Sequence, residues 1–185
     1  MPKKSQTLPD FPAGSTTHLQ TPSALQQNGY VLRHAGAEDI PFLRHLYAQT
    51  RSAELAASGW PQALRERFLA DQFALQHTHY VRQFADAEFL VLLEETRAVG
   101  RLYLDRQGPD FLIIDIALLD EIHGRGLGSA LIIHVQQTAA RAGCGVRLHV
   151  DLRNEAAYRL YLRLGFRETG IEGAHRAMRW DTDVS

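Results

Sequence analysis

The chain has little of what marks secreted, membrane-spanning or nucleic-acid-binding proteins. Its single cysteine, Cys144, excludes an internal disulfide and is typical of a protein from a reducing cytoplasm. No segment approaches the roughly 18 apolar residues of a membrane span. Lysine and arginine number 20 against 21 acidic residues, so no basic excess is available to bind nucleic acid. We therefore expect a cytoplasmic protein without membrane or nucleic-acid partners.

The composition of the chain changes at about residue 29. Proline, serine, threonine and glutamine dominate residues 1–29 with few large apolar residues, which predicts a flexible tail. No apolar stretch follows Lys3 and Lys4, so a secretory signal is not expected there. Residues 30–185 are long enough for one domain with its own core, and they contain no internal repeat.

A glycine-rich turn over residues 123–129 joins an apolar strand, predicted over residues 111–119, to an amphipathic helix. The helix has an apolar residue at every fourth position, namely Leu127, Leu131, Val135 and Ala139. Glycine lets the backbone approach a ligand closely, and the free N–H groups and positive dipole end of a helix's first turn attract phosphate. The turn therefore predicts a site for a diphosphate-bearing cofactor.

Two other phosphate-binding patterns fit this turn poorly. A P-loop requires a lysine, and no lysine lies near the turn. The Gly-x-Gly-x-x-Gly/Ala fingerprint of nicotinamide dinucleotide sites reaches Ser129 when started at Gly124, and Leu131 when started at Gly126. Asp151 stands about where a ribose-binding acid belongs, but little sequence follows it to complete a doubly wound sheet. These mismatches disfavour a nicotinamide-dependent oxidoreductase.

A second motif follows the predicted helix. Residues 146–150 alternate apolar and polar side chains, as a short strand does. Asn154 then stands where a helix N-cap belongs, and Gly165 stands where a glycine ends a helix. The apolar positions between them recur at helical spacing, at Ala157, Leu160, Tyr161 and Leu164. Phe166 opens a further extended segment.

Together these residues resemble two motifs of the GCN5-related N-acetyltransferases, the GNAT superfamily. The turn resembles the family's acetyl-CoA pyrophosphate loop, Gln/Arg-x-x-Gly-x-Gly/Ala, as His123-x-x-Gly126-x-Gly128, with histidine in place of the usual first residue. The residues similar to the family's second motif are Asn154, Ala157, Tyr161, Gly165 and Phe166. Both motifs occur in the family's order and at its separation. The resemblance covers about residues 30–181.

The resemblance implies a mixed α/β fold. Its central sheet would have about six or seven mostly antiparallel strands, with a V-shaped splay between two central parallel strands and about four flanking helices. The predicted order β-α-α-β-β-β-α-β-α-β-β agrees with this fold. Pro41 and Pro61 fit the first turns of the two early helices, and a hairpin is expected about residues 95–98.

The resemblance also implies acetyl-CoA as the cosubstrate, with no metal. Its pantetheine would lie between the splayed strands and pair with the backbone of Ile116, Leu118 and Leu119, and an N–H near Leu118 would polarise the thioester carbonyl. The pyrophosphate loop would comprise His123, Gly124, Arg125, Gly126, Leu127, Gly128 and Ser129. The helix of the second motif would contribute Asn154, Ala157 and Tyr161.

The implied reaction is direct attack by a primary amine in a ternary complex. Tyr161 occupies the family's general-acid position, and a phenol with a pKa of about 10 suits a departing thiolate whose pKa is about 8.5. The same residue also fits a core tyrosine on the apolar face of its helix. Asp115 and His149 are the nearest candidate bases, with Glu54 as a third. Asp115 equally fits a satisfied polar group at a strand edge, and His149 a side chain paired with Asp151.

Acceptor specificity is expected from residues 54–84, with Glu54, Trp60 and Tyr80 as candidate contacts. His77 and His79 invite a metal interpretation, but helical residues two apart point in different directions. The acceptor would be an amine on a small molecule or a peptide, bound by a monomer or homodimer. A catalytically weak acyl-CoA-binding module, serving as a sensor or an interaction surface, is the alternative function.

We expect the protein to bind coenzyme A thioesters and not nicotinamide dinucleotides, because the glycine spacing fits the first class of ligand and fails for the second. Isothermal titration calorimetry with acetyl-CoA, CoA and NADH measures the difference. Tight binding of NADH with no heat from acetyl-CoA would contradict this expectation.

Overall fold

Seven strands and five α-helices make up the computed structural model, which describes residues 8–13 and 18–182. The strands are β1 (Tyr30–His34), β2 (Glu88–Glu94), β3 (Arg97–Asp105), β4 (Phe111–Leu118), β5 (Val146–Asp151), β6 (Arg167–Glu172) and β7 (His175–Trp180). The α-helices are α1 (Ser23–Gln26), α2 (Ile40–Ala56), α3 (Gln62–Gln83), α4 (Leu127–Arg141) and α5 (Glu155–Arg163). Short 3₁₀ turns at Ala37–Asp39 and Asp120–Ile122 precede α2 and α4.

The strands form a single sheet in the order β1-β2-β3-β4-β5-β7-β6. Neighbouring strands run antiparallel except β4 and β5, which are parallel. β2 and β3 form the predicted hairpin, and β6 and β7 form a second one. The predicted mixed α/β fold with a parallel central pair is therefore confirmed. The short helix α1, within the predicted tail, was not expected.

The central parallel pair separates after three residues. β4 and β5 pair only from Phe111 with Val146 to Ile113 with Leu148. On the other edge of β4, the register with β3 shifts at the same place, so that Ile114 is an extra residue between the pairs Leu104–Ile113 and Tyr103–Asp115. An extra residue of this kind bends a strand. The bulge at Ile114 therefore coincides with the start of the V-shaped gap.

Helices cover both faces of the sheet. α4 and α5 pack on one face, where Leu131, Val135 and Tyr161 join the core cluster that contains Leu148. α2 and α3 cover the other face, where the second cluster includes Leu43, Phe73, Phe89 and Tyr103. β2 lies between the two layers, which explains its continuous run of buried apolar residues over positions 89–92. The gap between β4 and β5 thus opens between two helical layers.

The predicted helix boundaries agree with the structure where particular residues dictate them. Pro41 lies in the first turn of α2, and Pro61 immediately precedes α3. The Asn154 side chain accepts a hydrogen bond from the Ala157 N–H, so the predicted N-cap of α5 is present. Gly165 follows α5 with a φ of 84°, a conformation that favours glycine. These caps fix the ends of the helix that carries Tyr161.

The described part of the predicted tail is packed against the domain. Leu19 and Leu25 are buried, and the Phe11 ring contacts the rings of His77 and Phe89. The Thr21 hydroxyl accepts a hydrogen bond from the backbone N–H of β1 residue Leu32. The prediction of a flexible tail therefore does not hold for residues 8–13 and 18–29, because their scattered apolar side chains fill gaps in the core. Residues 1–7 and 14–17 of the predicted tail lie outside the described part.

His77 of α3 holds part of this segment in place. Its Nε2 lies 2.7 Å from the carbonyl oxygen of Pro9, and its ring is buried between Phe11 and Phe73. Burial lowers the pKa of His77, and the positive charges of Arg101 and Arg44 act in the same direction. The folded protein therefore holds a neutral imidazole at pH values where the unfolded chain would bind a proton.

This difference in pKa predicts an acid-sensitive fold. Below an unfolded-state pKa of about 6.5 the unfolded chain gains a proton at His77 that the folded protein resists, so the free energy of unfolding falls as pH falls. We expect His77→Gln to reduce the loss of stability between about pH 7.5 and about pH 5.5, measured by urea denaturation. His45→Gln, at an exposed position on α2, is the control. An unchanged acid dependence in the His77 variant would refute this role.

Candidate active site

A cavity of about 510 Å³ fills the gap between β4 and β5. It brings together predicted site residues that are distant in sequence. α3 contributes His79 and Tyr80, and Phe84 follows directly after this helix. The hairpin of β6 and β7 contributes Glu172 and His175. The remaining lining residues are Leu112, Ile113, Ile114, Asp115, Ile116, Leu148, His149, Val150, Asp151, Asn154, Ala157 and Tyr161. The cavity therefore collects all three residues predicted to be catalytic.

The alternation of β5 assigns its residues to opposite sides of the sheet. Leu148 and Val150 are buried in the core with α4 and α5, so His149 and Asp151 face the side of α2 and α3. Tyr161 of α5 reaches the cavity from the first side and Tyr80 of α3 from the second. The cavity is therefore lined from both faces of the sheet, with different side chains on each face.

Asp115 is held by a buried arginine. Arg101 donates from Nε to Oδ1 at 3.2 Å and from Nη2 to Oδ2 at 2.8 Å, and Tyr80 donates to Oδ2 at 3.3 Å. The Arg101 side chain is only 3% exposed, and its Nη2 also donates to the Gln76 side chain. Burial opposes the charge of Arg101, but the neighbouring carboxylate of Asp115 outweighs this and raises the pKa of the guanidinium. The guanidinium therefore stays charged and remains a donor to Asp115.

The Tyr161 hydroxyl has no hydrogen-bond partner within the described residues and lies at the cavity. Its ring packs against Phe166 with centroids 5.7 Å apart, so the residue is also part of the core. Burial raises the pKa of Tyr161 to about 12, and the negative charge of Asp115 adds to the effect. Tyr161 thus presents a protonated phenol at any pH near neutrality.

His149 and Asp151 have different partners from those expected. His149 is half-exposed, and its Nε2 lies 3.3 Å from the Glu172 carboxylate rather than near Asp151. Asp151 instead accepts hydrogen bonds from the side chain and the backbone N–H of Arg153, which lower its pKa to about 2. Arg153 also reaches Glu54 at 3.2 Å, which ties the end of α2 to the connection after β5. Glu54 therefore lies beside the cavity rim.

Trp60 lies apart from this site. Its ring contacts Phe68 on α3, with centroids 5.4 Å apart, and it is not among the described residues that line the cavity. Of the three predicted acceptor contacts, Tyr80 lines the cavity, Glu54 lies near it and Trp60 belongs to the connection between α2 and α3. The sequence could not distinguish Trp60 from Tyr80, because the spacing of an aromatic residue along the chain does not show whether its ring packs in the core or lines a site.

The glycine turn has the open backbone that a phosphate site requires. Gly124 and Gly126 have φ values of 79° and 77°, and nothing lies within 4 Å of where a Cβ would stand at either position. The first intrahelical bond of α4 runs from the Ala130 N–H to the Gly126 carbonyl. The N–H groups of Leu127, Gly128 and Ser129 thus have no helical acceptor.

The side chains of His123 and Arg125 in this turn contact other parts of the protein. The His123 ring lies 3.0 Å from the Leu118 carbonyl oxygen, and Arg125 donates to Glu94 at 2.9 Å and to the Tyr30 hydroxyl at 3.4 Å. Backbone amides are therefore the main donors that this turn offers to an anion. The two side chains instead connect the turn to β4, β1 and β2.

The edge of β4 that faces β5 is unpaired beyond the bulge. The ladder between the two strands ends at Ile113, so β5 supplies no partner to Ile116 and Leu118. The Leu119 N–H, by contrast, donates to the Val99 carbonyl at 2.9 Å and is occupied by β3. The backbone of Ile116 and the N–H of Leu118 are thus available to an extended ligand, whereas the Leu118 carbonyl is contacted by His123 and the N–H of Leu119 is occupied.

Sequence reasoning missed Arg101, Gln76, Glu172 and His175. Arg101 stands within an apolar strand and shares a face with Tyr103, which was a signal that a buried charge needs an acidic partner on the next strand. Asp115 is that partner. Glu172 and His175 carried no signal, since only the hairpin between β6 and β7 brings them to the cavity.

The described residues contain neither a membrane-spanning helix nor a cluster of metal-ligating side chains. Across residues 8–13 and 18–182, no helix has both the length and the apolar composition to cross a bilayer. Within the same residues, no three histidine, cysteine, aspartate or glutamate side chains are arranged to share a metal ion.

The turn geometry predicts that Gly126→Ala weakens binding of acetyl-CoA at least about tenfold, because it strains the left-handed backbone and adds a Cβ where phosphate would approach. Gly143→Ala is a matched control, since Gly143 has a φ of 70° and open space but lies beyond the far end of α4. Calorimetry should show weaker binding only for Gly126→Ala, while both variants lose stability. Equal affinities for acetyl-CoA would show that this turn does not hold the ligand.

Comparison with known proteins places this site in a family. A profile of the Acetyltransferase (GNAT) family matches residues 41–166. Mycothiol acetyltransferase of Paenarthrobacter aurescens (strain TC1) is 40% identical over 86 residues, which cover 43% of this chain and 22% of that protein. The chain thus matches under a quarter of the length of this curated relative.

Solved structures share the fold at low sequence identity. The PaiA N-acetyltransferase from Thermoplasma acidophilum, in complex with coenzyme A, has a TM-score of 0.62 at 16% identity, covering 83% of this chain and 99% of that chain. Arabidopsis thaliana Naa50, in complex with the bisubstrate analogue CoA-Ac-MVNAL, has a TM-score of 0.52 at 20% identity, covering 83% and 99%.

The family profile includes both motifs from which the resemblance was argued, the glycine turn and residues 154–166. It confirms the predicted resemblance to this family. The fold comparisons agree with the profile. The chain belongs to the Acetyltransferase (GNAT) family.

Proposed function

We propose that this chain is an acetyl-CoA-dependent N-acetyltransferase that acts on a primary amine of a small molecule or a peptide, by direct attack in a ternary complex. The observation that carries the proposal is the gap between β4 and β5, whose cavity is lined from both faces of the sheet. One side offers unpaired backbone and the Tyr161 hydroxyl, and the other offers Asp115 and His149. Two substrates can therefore meet from opposite sides without an acyl-enzyme step.

The backbone around the gap fits coenzyme A. The free amides of Leu127, Gly128 and Ser129 suit the pyrophosphate, and the unpaired edge at Ile116 and Leu118 suits the amides of pantetheine. Acetyl-CoA supplies, when bound, an acetyl group activated as a thioester. Coenzyme A and a bisubstrate analogue are bound by two proteins of the same fold, which supports the assignment of this ligand.

The acceptor side must remove one proton. Transfer joins the acceptor nitrogen to the acetyl carbon and breaks the carbon–sulfur bond. An ammonium acceptor therefore loses one proton to the acceptor side before attack, and a second one to solvent water after the nitrogen has bonded to the acetyl carbon. Asp115 already accepts three hydrogen bonds, whereas His149 is half-exposed with one neighbouring carboxylate. We assign proton removal to His149, directly or through water, and binding of the ammonium to Asp115.

The Tyr161 hydroxyl assists the departing sulfur. With a pKa of about 12 it stays protonated and can donate a hydrogen bond to the thiolate as negative charge develops. Complete proton transfer from such a weak acid to the thiolate is unfavourable, because the corresponding thiol is the stronger acid, with a pKa of about 8.5. We therefore propose that Tyr161 stabilises the leaving thiolate by hydrogen bonding, which refines the general-acid role, and that the thiolate is released to solvent.

One observation favours the alternative, an acyl-CoA-binding module without efficient turnover. Both candidate proton acceptors are already paired, Asp115 with Arg101 and His149 with Glu172. Release of free thiol from acetyl-CoA, measured with a panel of amines, amino acids and short peptides, distinguishes the two functions. We expect amine-dependent thiol release. Tight acetyl-CoA binding without thiol release for any amine would favour the binding module.

Tyr161→Phe tests the proposed role of the hydroxyl. The ring and its packing on Phe166 remain, so acetyl-CoA affinity should be retained. The value of kcat should fall about 100-fold, as it does when one hydrogen-bond donor to a developing negative charge is removed. The ratio of wild-type to variant kcat should be constant from about pH 6.5 to about pH 9.5, because Tyr161 does not ionise there.

Tyr158→Phe is the matched control for this substitution. Tyr158 lies on the same helix, but its ring packs under the Arg176 guanidinium, 4.3 Å from the ring centroid, and it does not line the cavity. Its kcat should equal that of the wild type. If Tyr161→Phe instead lowers the melting temperature and leaves kcat unchanged, Tyr161 is a core residue only.

A further inference from the structure

Arg101 does not line the cavity, but its guanidinium forms an ion pair with Asp115, whose carboxylate does. We propose that Arg101 is a positioning residue that orients Asp115 to receive the ammonium group of the acceptor, and that it thereby sets KM for the amine. This inference rests on the proposed N-acetyltransferase function. It names the residue that determines how the carboxylate meets the ammonium group of the acceptor.

The contacts of Arg101 fix the carboxylate in one orientation. The guanidinium donates to both oxygens of Asp115, at 3.2 and 2.8 Å, as a planar fork does. The fork is itself held by Gln76, which accepts from Nη2 at 3.2 Å, and by the Tyr103 ring, whose centroid lies 5.2 Å from the guanidinium carbon. Every polar contact of this arginine thus serves to hold its angle to Asp115.

Asp115 retains capacity for one more donor. An ionised carboxylate offers about four acceptor positions, and Arg101 and Tyr80 use three of them. The Asp115 side chain is 14% exposed at the cavity, while that of Arg101 is 3% exposed. The ion pair therefore presents its negative end to the cavity, and an N–H of an ammonium group is the complementary donor.

The charge of this pair favours one class of amine. Aliphatic primary amines carry a positive charge near neutral pH, whereas aromatic amines do not. Binding of the charged form beside Asp115, followed by proton loss toward His149, suits an aliphatic acceptor. Stability alone does not explain the pair, because a buried ion pair is often no more stabilising than apolar residues of similar volume.

Arg101→Lys separates the position of the carboxylate from the presence of a charge. Lysine keeps the buried cation but loses the fork, so Asp115 is no longer held through both oxygens. With the aliphatic amine of the panel that is turned over fastest, we expect KM for the amine to rise at least about tenfold. The dissociation constant for acetyl-CoA should change less than about twofold, and kcat less than about threefold.

Arg33→Lys is the matched control. Arg33 forms a second two-pronged pair, with Asp39 at 2.7 and 2.8 Å, between β1 and the start of α2, outside the cavity. It should lower the melting temperature without changing KM for the amine. An equal rise in KM in both variants, or an unchanged KM in Arg101→Lys, would overturn the positioning role.

A double variant covers the case in which Arg101→Lys fails to fold. Arg101→Met with Asp115→Asn removes both charges and leaves no unpaired ion. In the wild type, kcat/KM should be higher for benzylamine than for aniline, and the double variant should lose this preference. A wild type that prefers aniline, or a double variant that keeps the preference, contradicts the inference. A wild type that acetylates no amine overturns the proposed function, and this inference with it.

Discussion

The extra residue Ile114 in β4 is the constraint on which the rest of the site depends. It interrupts the ladder with β3 at the point where the ladder with β5 ends. Because a bulge bends its strand, β4 leaves β5 and exposes one edge of its backbone. The same extra residue shifts the alternation of side chains, so that Asp115 stands opposite Tyr103 and reaches Tyr80 on α3. A single local irregularity thus opens the gap and brings a carboxylate to it.

The two sides of the gap differ in electrostatics. On the α5 side the cavity is lined by the Tyr161 hydroxyl, whose pKa of about 12 keeps it a hydrogen-bond donor, and by the uncharged Asn154. The α3 side has an ion pair whose positive member is buried and whose negative member lies at the cavity. Charges interact strongly where water is scarce, and this explains why Asp115 also raises the pKa of Tyr161. In the proposed reaction, the donor for the developing thiolate and the acceptor for the ammonium group therefore line the same cavity.

Local signals in the sequence were sufficient for the fold, for the open glycine turn and for the caps of α5. The glycines of the turn, the N-cap at Asn154 and Gly165 each require a particular backbone, and that requirement is visible in the residue itself. The acceptor side depends on contacts between distant elements. Arg101 and Asp115 are brought together by the register of two strands, and His149 meets Glu172 through a hairpin. The packing of Leu19 and Leu25 likewise depends on gaps in a core that the sequence does not display.

Amide hydrogen exchange with and without acetyl-CoA tests most directly the claim that the bulge exposes a binding edge. The account predicts slower exchange at Ile116 and Leu118 and in the first turn of α4 when acetyl-CoA is added. Leu119 is an internal reference, because its N–H already donates to Val99 and should change little. Protection of the first turn of α4 without protection of Ile116 and Leu118, or protection confined to the outer face of α3, would contradict the account.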